Sequence, residues 1–143
     1  MLARSFLVAA IALPLVVAAE SREPLFRIYT AHQGAHGLTY GDASPDLIVY
    51  HVFRYALGRP PSGAPDSLPP ALRILLQSAD AARYAALTEK TTGGMLVIDA
   101  GEQQIIVVRI RGKISDGTIE LIGENARKQI EYLYHKLQKS WRI

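Results

Sequence analysis

The stretch AHQGAHGLTYGD, residues 31–42, sets His32 and His36 four apart with Asp42 close behind, and His51 follows. Imidazole nitrogens and a carboxylate are the groups that bind zinc or move protons in hydrolysis. Spacing of four would place both histidines on one helical face, but Gly34 and Gly37 count against a helix here. In a loop, His32, His36 and Asp42 can converge on a metal, with His51 as a further ligand, yet nothing in the spacing requires it. Ligands need a supporting shell, and glycines supply none. The stretch therefore reads as a surface loop, with no metal and no other cofactor expected. The alternative is a small metal- or histidine-dependent hydrolase built on residues 31–42.

A second set of residues is cationic. Arg109, Arg111 and Lys113 alternate along one segment, and Arg127, Lys128, Lys136, Lys139 and Arg142 load the last one, against Glu131. Arg109, Arg111, Lys136 and Lys139 are the candidate surface for a protein partner with an acidic face. The competing account is a solvated helix face whose dipole favours cations near its C-terminus. Arg83 falls within an apolar stripe, either snorkelling to water or anchoring an anion. Tyr50, Tyr55, Tyr84, Tyr132 and Tyr134 add aromatic surface of the kind binding sites use.

Local catalytic signatures are missing: there is no Gly-x-Ser-x-Gly, phosphate loop, dinucleotide fingerprint or HExxH, and there is no cysteine. A formal net charge of +3 is too small to mark a nucleic-acid protein, so no nucleic-acid partner is expected. These residues favour a non-enzymatic protein that binds another macromolecule.

The first residues bear on where that happens. After Arg4, an apolar run from Phe6 to Ala19 ends in small residues and Glu20. It is shorter than the ~20 apolar residues a spanning helix needs, and it has the layout of a secretory signal. Residues 1–19 are thus expected to direct export to a periplasm or beyond, with cleavage near Ala19. If they are kept, the chain is instead a membrane-anchored accessory subunit, and only then is a membrane partner expected. The lone Asn125 is followed by Ala-Arg, so no N-glycosylation sequon exists.

At 143 residues and 49% hydrophobic, residues 20–143 suit a single domain. A strand is expected over 25–30. Ser44, Pro45 and Asp46 resemble a helix start, and Ile48, Val49, Val52, Phe53, Tyr55 and Ala56 fall on one helical side, which predicts a helix over 45–57. Residues 58–70, with Pro60, Pro61, Pro65, Pro69 and Pro70, form a connector. A helix over 70–88 follows, with Leu72, Leu75, Leu76, Ala79, Ala82, Ala86 and Leu87 as its stripe and Tyr84 opposite.

Residues 95–111 predict a β-hairpin turning at Gly101. Ile119, Ile122, Ala126, Ile130, Leu133, Leu137 and Trp141 step at helical spacing, which favours a helix over 118–140. Asp116-Gly117 keeps open a turn with a strand at 118–122. The expected fold is α+β: a small antiparallel sheet, hairpin 95–111 plus strand 25–30, packed by three helices.

Overall fold

The computed structural model describes residues 23–41, 44–58, 71–123 and 126–141. The segment read as a signal, most of the proline connector, Asp42 and Arg142 lie outside these residues. Among the described residues, eight strands and two helices follow in the order β1 (Phe26–Gly34), β2 (Gly37–Thr39), β3 (Leu47–Val49), β4 (Val52–Gly58), β5 (Ala71–Leu76), α1 (Ser78–Lys90), β6 (Met95–Asp99), β7 (Ile105–Arg109), β8 (Thr118–Leu121) and α2 (Arg127–Trp141).

The strands form two antiparallel sheets. In the first the order is β2-β1-β6-β7, with β3 also pairing β1 beside β2; in the second it is β4-β5-β8. The expectation of one small sheet packed by three helices is therefore overturned. Residues 45–57 are strands, β3 and β4, and not a helix. Ser44 and Pro45 introduce a strand: Asp46 N–H donates to the Ile28 carbonyl, and its Oδ2 accepts from Thr30 N–H at 2.7 Å and Thr30 Oγ1 at 2.8 Å. Side chains rich in Ile, Val, Tyr and Phe fit a pleated surface better than a helix, and here that preference outweighs a good cap.

The predicted helix over 70–88 is split at Gln77. Leu72, Ile74 and Leu76 alternate inward along β5, and α1 begins only afterwards. Its buried face is Tyr84, Leu87 and Thr88; Leu87 of the expected stripe is buried, while Ala79, Ala82 and Ala86 are exposed. A buried tyrosine removes far more apolar area from water than an alanine, so Tyr84 sets the phase. Thr88 is locked in that interface, its Oγ1 donating to the Ala85 carbonyl and accepting from Ile114 N–H at 2.9 Å.

The long C-terminal helix is also shorter than expected. Residues 118–121 are β8, introduced by the Asp116-Gly117 turn, where Asp116 Oδ1 accepts from Thr118 N–H at 3.0 Å. Gly117 has φ +73°, and a Cβ there would stand 2.8 Å from the Ala81 Cβ, so this turn tolerates only glycine. Helix α2 then buries Ile130, Leu133 and Leu137. A single core joins these to Phe26, Ile28, Leu96, Ile98 and Ile106 of the first sheet and Leu72, Ile74, Ile119 and Leu121 of the second. No helix among the described residues is long and apolar enough to cross a membrane.

Candidate functional site

The chain leaves the first sheet at Val49 and joins the second at Val52, so Tyr50 and His51 make the passage between sheets. Both are exposed, because both strands spend their inward positions on Val49 and Val52. Gln77 makes the passage from β5 into α1, and the last turn of α2 arrives alongside. A cleft of about 530 Å³ opens there, walled by Asp46, Tyr50, His51, Gln77, Asp80 and Arg83. A second, of about 220 Å³, is lined by His51, Val52, Gln77, Ser140 and Trp141. His51 and Gln77 line both, so the two clefts adjoin and are described together as a groove.

Its chemistry is mixed. Tyr50 is 40% and Trp141 56% exposed, both among the large hydrophobic side chains left in water. Trp141 stays in place against Tyr55, ring centres 6.0 Å apart, and Tyr55 in turn meets Tyr134 edge-on at 5.9 Å. Asp80 lies in the first turn of α1, where the helix dipole favours a carboxylate. Partial burial raises its pKa above the ordinary carboxylate value, while the charges of Arg83 and His51 pull it back down. Arg83 is exposed; because α1 packs through Tyr84, it faces the groove and not an apolar stripe. The groove thus offers aromatic faces, an amide, an imidazole and both signs of charge.

The other sequence-predicted residues are placed elsewhere. His32 is on β1 opposite Thr39, and His36 is in the tight turn between β1 and β2; both are exposed, so residues 31–39 are a hairpin and not an irregular loop. β3 pairs with β1 at Phe26 to Ile28, the end away from His32. At ~3.3 Å per residue, six residues along β1 separate His51 from that hairpin by roughly 20 Å. Among the described residues no group of three His, Cys, Asp or Glu side chains could hold a metal.

The four cations do not form one patch. Lys136 Nζ donates to the Ala100 carbonyl at 2.7 Å and lies 3.7 Å from Glu23 Oε1, beside the turn joining β6 to β7. Arg109 pairs with Met95 at the opposite end of β7, about 15 Å along the strand, and Arg111 follows it. Lys139 is exposed in the last turn of α2. Reading the sequence missed Trp141 and Gln77 as site residues. Helical spacing puts Trp141 on the buried stripe; its signal is that it is the only tryptophan, placed where the helix runs out.

No family model matches the chain, and no curated protein matches it. Among solved structures it is similar to one described as "Structure and function of a membrane component SecDF that enhances protein export", with TM-score 0.52 and 10% identity, over 80% of this chain and 63% of that one. The chain thus spans less than two thirds of that protein's length, and at this identity the likeness concerns the fold.

Proposed function

We propose that this chain is a non-enzymatic binding domain, working outside the cytoplasm, that recognises a polypeptide in the groove between Tyr50 and Trp141. The observation that carries the reading is the exposure of these two aromatic side chains in adjoining clefts that share His51 and Gln77. Solvent-exposed tryptophan and tyrosine rimmed by hydrogen-bonding and charged groups are the composition of a protein-binding hot spot. Export rests on the apolar run at Phe6 to Ala19. The structural neighbour is described as a membrane component that enhances protein export, and that description supports a polypeptide as the class of partner.

Because Trp141 is the only tryptophan, its emission reports on groove occupancy. Reduced, carboxymethylated ribonuclease A, an unfolded chain without tryptophan, is expected to blue-shift that emission saturably, and Tyr50→Ala is expected to weaken the response at least tenfold. Binding that leaves the emission unmoved and ignores Tyr50→Ala would remove the groove as the site.

A second reading, the membrane-anchored accessory subunit, is favoured by the same neighbour's membrane association. Intact mass of protein from its native host separates the two: a chain starting near Glu20 supports export, and a membrane-held chain retaining Met1 supports the anchor. The hydrolase reading gains no support from the geometry, since His32 and His36 stand exposed on a hairpin distant from His51.

A further inference from the structure

We infer that β7 accepts an extended segment of a partner protein as an added strand, one that alternates apolar side chains and carries carboxylates at the end facing Arg109 and Arg111. This surface is separate from the groove at His51.

The backbone supplies the first argument. At one end of the β6–β7 ladder Ala100 N–H donates to the Gln104 carbonyl at 2.9 Å; at the other, Ile110 N–H donates to Gly94 and its carbonyl accepts from Gly93. Antiparallel strands alternate the direction of their main-chain groups. Gln104, Ile106, Val108 and Ile110 therefore face β6, and the N–H and C=O groups of Ile105, Val107 and Arg109 point the other way. No strand among the described residues pairs with that side.

Comparison with the other edges is the second. β4 carries an irregularity at Val52/Arg54, β2 and β3 are three residues each and divide their edge between them, and β8 has four residues. Bulges and short strands are the usual means of blunting an edge. β7 has neither, keeping register over five residue pairs with β6.

Side chains select the occupant. Val107 is 49% exposed and sits in a row with Val97 and Tyr29, so an added strand finds apolar surface beside it. Arg109 and Arg111 form no ion pair among the described residues, whereas Arg73, Lys113 and Lys136 each meet a glutamate. Strand addition takes affinity from the main chain and specificity from alternate side chains, and two unbalanced guanidinium groups at one end call for carboxylates. A second copy of β7 would bring only further arginine, since Ile105–Arg109 holds no acid.

The test uses the full chain and a fluorescein-labelled peptide alternating valine and threonine with two glutamates at one end, followed by anisotropy. Val107→Pro removes an outward N–H and no ladder bond, a position where an edge strand tolerates proline. Saturable binding is expected, weakened at least tenfold by Val107→Pro, and weakened by Arg109→Glu/Arg111→Glu in a manner that fades with salt. The peptide N-methylated on its edge-facing amides is expected not to bind, which decides the matter even if the proline variant fails to fold. No saturable binding up to millimolar peptide would overturn the proposal, as would equal binding by the N-methylated peptide or by a folded Val107→Pro. A dimer in sedimentation that Val107→Pro dissolves would also overturn it, assigning the edge to a second copy.

Discussion

The two sheets satisfy the same core with opposite outer faces. Inward, both present Ile, Leu and Val to one cluster shared with α1 and α2, the first sheet adding Phe26. Outward, the five-stranded sheet sets Tyr29, Val97 and Val107 in one cross-strand row, and Val97 at its centre has no exposed surface although it stands outside that cluster. The three-stranded sheet sets Ala56, Arg73 and Glu120 in the matching row, and the Arg73 side chain at its centre is 66% exposed. An antiparallel sheet needs one dry face only. The second sheet stops there; the first keeps apolar residues on both faces, and that surplus, beside the free edge of β7, is what a partner could use.

The largest expected effect tests whether the inner faces are one unit. Leu133 is fully buried in the cluster that touches both sheets, and Leu133→Ala is expected to cost ~2–5 kcal/mol in urea unfolding. Far-UV circular dichroism and Trp141 emission should then shift together, as a single cooperative domain requires. Two separated transitions would make the sheets independent and end the comparison on these terms.

Next is Tyr84, buried beneath the same cluster. Burial, with a smaller contribution from the Asp116 charge, pushes its phenol from the ordinary 10.0 up to about 12. A raised acid is protonated more readily in the folded chain, so its contribution is complete below pH 10 and is lost as pH rises towards 12. The loss amounts to about 3 kcal/mol. Urea midpoints at pH 9 and pH 11.5 should differ markedly in the native chain and by less in Tyr84→Phe. An equal drop in both would place the alkaline sensitivity elsewhere.

These elements were unevenly legible in the sequence. Helix α2 shows through because Ile130, Leu133 and Leu137 keep helical spacing over a long segment, and the β6–β7 hairpin shows through its β-branched runs and Gly101. β5 does not: in six residues, Leu72, Ile74 and Leu76 at strand spacing coincide with Leu72, Leu75 and Leu76 at helical spacing, and the following helix extends the false pattern. β3 and β4 were hidden by the cap-like Ser44, Pro45 and Asp46, of which Asp46 instead bonds Thr30, distant in sequence. The groove was least legible, because Tyr50 and Gln77 come from separate passages between elements and Trp141 from the end of α2, and together they leave no local motif. His51 and Arg83 could be singled out as unusual, but not brought together.

Val97→Ala sharpens the contrast between the outer faces. With no exposed surface between Tyr29 and Val107, it should behave as a core position and cost about 1–3 kcal/mol, a large-to-small loss that no neighbour can refill. Thermal melts of the variant measure it. A change within error would mean that this face is wet after all, and would weaken the case for the β7 edge as a docking surface.

The smallest effect belongs to the opposing row. Arg73 Nε lies 3.4 Å from Glu120 Oε2, with the two side chains 66% and 41% exposed. In that setting water screens the attraction and holding two long side chains together costs rotamer freedom, so exposed pairs contribute only ~0–1 kcal/mol. A double-mutant cycle of Arg73→Ala and Glu120→Ala should give a coupling at the low end of that range, falling further as salt is raised. A coupling above about 2 kcal/mol would rank with that of a desolvated pair. The outer face of the three-stranded sheet would then be dry around that pair, and the two sheets would no longer differ in their outer faces.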